Sequence, residues 1–234
     1  EEIPAITRAS LLAAEGRLRQ LSHDPSLTYC FWLLTRVSWA SRTSDFSAAL
    51  SDLGITLPSV DASALGFIVQ MSNEVQATLR RYQESGPFGE LASLAFRRAL
   101  AETVGQHGQS LFGSSLEDVQ HAFRSHSSAE RFGDLSKRFF GDFLARSLRH
   151  FLDRELANQV GADHAMRTVN DSQRFMEALD TYVRQSARIM EDFAIGWYGK
   201  RNWESGGEIS YEEARGFVAV ALRKLRSELV QSEL

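Results

Sequence analysis

One cysteine, four prolines and three lysines are all that 234 residues hold of those types, and each shortage excludes something. Cys30 alone forms no internal disulfide and has no CxxC or Cys/His companion for a zinc site. A buried structural thiol, in a cytoplasmic protein, is the expectation. So few prolines, with 16 glycines, exclude a collagen-like, polyproline or low-complexity chain. The longest apolar run, Leu27 to Trp39, is interrupted by Arg36 and falls short of the roughly 20 residues that cross a bilayer. No basic segment followed by an apolar one opens the chain, so no signal peptide is read there. Charge of one sign is missing as well. The 26 basic and 30 acidic residues leave a net charge of -4, and no global positive field attracts nucleic acid or an anionic membrane.

What the chain does have is helical periodicity, with no sustained apolar/polar alternation between hairpin turns. The pattern predicts an all-α fold, a multi-helix bundle of about seven to eight helices. Two long antiparallel helices, about 128–160 and 172–200, are placed at its centre, because Phe132, Leu135, Phe139, Phe143 and Leu148 cover a wide arc of the first. In the second, Phe175, Leu179, Ile189 and Phe193 form one stripe, with Met176, Val183, Met190 and Trp197 beside it at seven-residue spacing. The chain reads as a single domain over 1–234. Its natural subdivision is at the Gly/Ser/Gln-rich loop 105–114, between helices within 1–104 and a bundle within 115–234.

Capping chemistry supplies the boundaries. Pro4 suits a first helical turn, Asp24-Pro25 reads as N-cap and first position of a helix to about Arg42, and a short helix over 45–53 stops at Gly54. Further helices are read over 59–84 and 88–104. Ser115/Asp118, Ser127/Glu130 and Ser210/Glu213 match the capping box, and the last opens a helix from Tyr211 to about Val230. Gly133 and Gly141 lie eight residues apart on neighbouring faces, where another helix could approach closely.

Four sets of residues carry candidate chemistry. His150 and Arg154 project onto the apolar arc of the 128–160 helix, so they are expected as a buried polar pair. It serves either to bridge to a neighbouring carboxylate or to build a polar pocket that binds an anion. Arg131, Arg138, Arg146 and Arg149 share the opposite, wet face with Asp142 and form a basic face. Trp197, Tyr198, Lys200, Arg201 and Trp203 combine the residue types of interface hot spots with those that stack on bases. Asp118-x-x-His121, with His107 and His126 near, has ligand spacing on one helix, but no second such motif accompanies it and no metal is assigned. Arg17-x5-His23 has the Arg/His spacing of helical ribonucleases. With 23 Arg and 6 His, about two such matches arise by chance, so it identifies no family. A P-loop, a G-x-S-x-G elbow and an HExxH helix are all missing.

The leading functional reading is therefore a non-catalytic adaptor or subunit of a bacterial-type assembly, meeting a protein partner at the aromatic and basic corner 197–203. No cofactor is expected. Nucleic-acid binding through the arginines, and an all-α enzyme of ribonuclease-like or metal-dependent type, are the alternatives. A sizeable exposed apolar patch containing Trp197, Tyr198 or Trp203 favours the first reading, and a concave site at His150 or His121 the last.

Overall fold

A computed structural model describes residues 24–56, 63–81, 87–106, 114–157 and 169–231. Among them there are nine helices and no strand: α1 (Pro25–Ala40), α2 (Phe46–Asp52), α3 (Ala64–Arg81), α4 (Pro87–Gly105), α5 (Leu116–Ser125), α6 (Ala129–Ala157), α7 (Val169–Ser186), α8 (Arg188–Ser205) and α9 (Tyr211–Gln231). The protein is an all-α multi-helix bundle. Pro4, Arg17, His23, His107 and most of the 105–114 loop lie outside the described residues.

Local signals explain most helix starts. The Asp24 carboxylate accepts from Ser26 N at 2.8 Å and Leu27 N at 3.0 Å, which satisfies two of the free donors at the start of α1. Asp45 does the same for α2 through Ala48 N, 2.8 Å away, and Gly54 ends that turn with φ 80°. Ser115 and Asp118 form both halves of a capping box at α5, as do Ser210 and Glu213 at α9. The third expected box, Ser127/Glu130, is not formed. The Ser127 hydroxyl donates backwards to the Arg124 carbonyl at 2.7 Å, and Ser128 sits at the start of α6, its Oγ accepting from Arg131 N at 3.4 Å. Two adjacent serines offered the same chemistry, and the tight turn out of α5 consumed the first.

Helix α6 runs unbroken through Gly133 and Gly141 and packs against α4, α7 and α8. The pairs Phe132 with Tyr198, Lys137 with Glu191 and Arg149 with Asp180 run in opposite chain directions, so α6 is antiparallel to α7 and α8. The expected single helix over 172–200 divides at Ala187, whose carbonyl accepts a tight i→i+3 bond from Met190 N at 3.0 Å. A β-carbon at Gly141 would lie 3.2 Å from Ala187 Cβ, so the break falls at a close contact with α6 and lets both halves follow it.

The core is aromatic at its centre. Phe31 of α1 stacks on Phe217 of α9 at 4.7 Å between ring centroids and meets Phe140 of α6 at 5.2 Å, while Phe217 also contacts Phe193 and Trp197 of α8 at 4.8 and 4.4 Å. Four helices thus share one ring cluster, and edge or offset contacts of this kind add to the area term of burial. Cys30 is fully buried there, as expected, and desolvation pushes its thiol pKa far up, so it is inert as a nucleophile.

Candidate functional site

The corner at the end of α8 divides between core and surface. Met190, Ala194 and Tyr198 recur every fourth residue on the buried face, and Tyr198 is 0% exposed, stacked on Phe132 at 3.9 Å with the planes 11° apart. Tyr198 therefore cannot be a contact anchor for a partner, contrary to the expectation from composition. Trp197 is half-buried against Phe217 and Phe31 and finishes the core stripe. Trp203, in contrast, is 91% exposed, and Leu65 and Val69 of α3 are the other exposed large apolar side chains described.

The base that carries Trp203 is firmly tied. Gly206 and Gly207 end α8 with φ 64° and 86°, and a β-carbon at Gly207 would lie 2.9 Å from Arg42 Nη1. That close approach lets Arg42 donate to four acceptors: the Gly206 carbonyl at 3.2 Å, Asn202 Oδ1 at 3.0 Å, the Tyr198 hydroxyl at 3.3 Å and the Ser127 carbonyl. Burial pushes the Tyr198 hydroxyl pKa up to about 12, opposed in part by Arg42.

Lys200 and Arg201 do not make this corner basic. Arg201 lies 3.1 Å from Glu204 and 2.9 Å from Glu213, and Lys200 is 3.7 Å from the same Glu204. Hydrogen bonds from Ser210, more than the nearby Arg201, hold the Glu213 carboxyl below its ordinary range. Lys200 and Arg201 are matched by Glu204 and Glu213, and Arg42 is occupied by four neutral acceptors, which leaves little surplus charge for a phosphate backbone.

The four arginines of α6 are likewise not one open basic face. Arg138 is paired with Asp134 one turn back, and Lys137 joins that pair while reaching Glu191 of α8 at 2.6 Å. Burial raises the Asp134 pKa, but Arg138 and Lys137 outweigh it and hold the carboxyl below its ordinary range. Arg131 is exposed at the start of the helix. Arg146 and Arg149 turn instead into a cleft between α4, α6 and α7, of about 290 Å³.

At the base of that cleft is Asp142, which was expected on the wet face and is only 4% exposed. Arg98 of α4 and Arg184 of α7 cover it from outside the helix, something a projection of α6 alone does not contain. Asp142 Oδ1 is 2.8 Å from Arg98 Nη1 and 3.8 Å from Arg184 Nη2, and its Oδ2 is 2.5 Å from Arg146 Nε. Asp180 of α7 lies 3.2 Å from Arg184 and 3.6 Å from Arg149.

His150 is exposed at the rim of this cleft rather than buried, and the side chain of Arg154 lies outside the described residues. The buried polar pair is thus not found at His150, and the buried charge of this region is Asp142. Compared with protein-family models, curated proteins and solved structures, the chain matches none.

Arg98, Asp142, Asp180 and Arg184 were missed as a group. Three i,i+4 pairs, Arg98/Glu102, Asp142/Arg146 and Asp180/Arg184, were visible, but such pairs are common on solvated helix faces and nothing local says that three helices bring them together. Among the described residues no group of three His, Cys, Asp or Glu side chains could hold a metal. The Asp118 carboxylate is engaged by Ser115 in its capping box, and His121 is exposed. No described helix is long and apolar enough to cross a membrane.

Proposed function

We propose that this chain is a non-catalytic helical interaction protein, a cytoplasmic adaptor or subunit of a bacterial-type assembly, that seats a protein partner on the end of α8 around Trp203. The observation that carries the reading is the 91% exposure of Trp203, six residues after Trp197, which uses its own ring in the core. The exposed apolar surface at this corner is this one indole rather than a patch, since Tyr198 is buried and Trp197 half-buried, and leaving it in water forgoes about 2–3 kcal/mol of burial. Tryptophan is the side chain most enriched among residues that dominate binding energy. Arg42 and Arg201 tie the surrounding backbone and side chains in place, so docking there would lose little conformational entropy. The balanced charges of Lys200, Arg201, Glu204 and Glu213 suit the polar rim of a protein interface better than a nucleic-acid backbone.

The test uses the full chain, tagged in its native host, followed by reconstitution with the purified partner. Trp203→Ala is expected to weaken the binary complex about tenfold or more while leaving the melting temperature unchanged. A partner whose affinity ignores that substitution, or a large fall in melting temperature, would overturn the reading.

A further inference from the structure

We infer that the cleft between α4, α6 and α7 is a binding site for the phosphoryl group of a small phosphomonoester. Four guanidiniums line it, from Arg98, Arg146, Arg149 and Arg184, and they come from three different helices. Neutralising the buried Asp142 accounts for only part of this set. Arg98 and Arg146 already hold its two oxygens at 2.8 and 2.5 Å, while Arg184 stands 3.8 Å away and Arg149 is directed to Asp180. Even with Glu102 counted, which grips the Nε edge of Arg98 at 2.7 Å, the guanidiniums outnumber the carboxylates by one before His150 is considered.

The donors are also unspent. Asp142 engages Arg146 through Nε, so both its terminal nitrogens have no acceptor among the described residues, and neither does Arg184 Nη1. Asp142 acts here as a brace that fixes the orientation of Arg98 and Arg146, which lowers the entropy lost when a ligand is gripped, while Asp180 competes with the ligand for Arg149 and Arg184. Planar forks match phosphoryl oxygens with two parallel charge-assisted bonds. A carboxylate is served by one such fork in its own plane, whereas donors converging from three helices suit the three terminal oxygens of a tetrahedral phosphoryl group. Ala145, almost fully buried and lacking bulk, leaves the space open, and about 290 Å³ accommodates a phosphoryl group with a small organic body.

The experiment titrates the full chain at low salt with phenyl phosphate, with benzoate as the carboxylate control, by calorimetry. A parallel arm measures sedimentation with phosphatidylcholine vesicles with and without phosphatidic acid, to separate a soluble ester from a lipid headgroup. Phenyl phosphate is expected to bind with a dissociation constant of about 1 mM or below and benzoate about tenfold more weakly. Arg149→Gln removes a half-exposed guanidinium that does not touch Asp142, so the fold is retained; it is expected to weaken phosphate binding about tenfold. Asp180→Asn, which removes a competing negative charge, is expected to strengthen it. Phosphate-specific binding in either arm that Arg149→Gln weakens supports the site and identifies the source. Absence of binding in both arms, binding indifferent to Arg149→Gln, or weakening by Asp180→Asn as large as that by Arg149→Gln overturns it.

Discussion

Gly133 and Ile195 occupy nearly the same space: a β-carbon on Gly133 would lie 2.5 Å from Ile195 Cγ1 and 2.9 Å from the Glu191 carbonyl oxygen. The second of these atoms belongs to the backbone of α8 and cannot rotate away. Gly133→Ala is therefore expected to destabilise the protein by about 2 kcal/mol, although alanine is intrinsically the better helix former by about 1 kcal/mol. Gly196 and Gly216 sit within α8 and α9 with nothing within 4 Å of an added β-carbon. Alanine at either position is expected to stabilise by about 0.5–1 kcal/mol. Urea denaturation of the three variants checks the opposite signs.

Asp142 and its guanidiniums give a second expectation. Asp142→Asn keeps the shape but leaves Arg98 and Arg146 without their shared anion. Breaking a fully buried pair costs about 3–5 kcal/mol, but these arginines are partly exposed and water screens them, so a loss of about 1–3 kcal/mol is expected. Chemical denaturation measures it, and a loss below about 0.5 kcal/mol would contradict the buried-brace description.

Tyr198 sets an alkaline limit. Its folded pKa, pushed by burial to about 12, lies above the ordinary 10, so the unfolded chain releases this proton first as pH rises. The stabilising contribution is complete below pH 10 and is lost between about pH 10 and 12, amounting to about 3 kcal/mol. Ultraviolet titration at the phenolate band is expected to show a late-ionising step that Tyr198→Phe removes.

Glu213 sets an acid one. Its folded pKa is held below 4.5, first by the Ser210 backbone bond, so its capping contribution is present above the unfolded pKa and disappears as pH falls through the folded value. Glu213→Gln is expected to cost about 0.5–1 kcal/mol near pH 7, a cost that shrinks as pH falls through the folded value, read from melting temperatures across the acid range.

Much of this architecture was legible from residue spacing because the information is local. The Asp24-Pro25 start, the Ser115/Asp118 and Ser210/Glu213 boxes and the stop at Gly54 each involve side chains within four residues of one another. The close approach at Gly133 and Gly141 was legible for the same reason, since two glycines two turns apart leave a groove on one helix whatever packs there. The candidate sites were harder to read. Tyr198 and Trp203 have the same composition signal, yet the phase of α8 sends one inward and the other into water. Asp142 was misplaced because α6 alone does not show Arg98 and Arg184 closing over it. Sites assembled from several helices are written in tertiary contacts, which spacing within one helix does not encode.

The most direct test of the proposed role is site-specific photo-crosslinking of the full chain in its native host, with the crosslinker at position 203 and, as control, at the exposed Asn73 on α3. The expected result is one discrete protein adduct at position 203 that is absent at position 73. Equal adduct patterns at the two positions, or none at 203, would contradict the proposal that Trp203 is the centre of a docking surface.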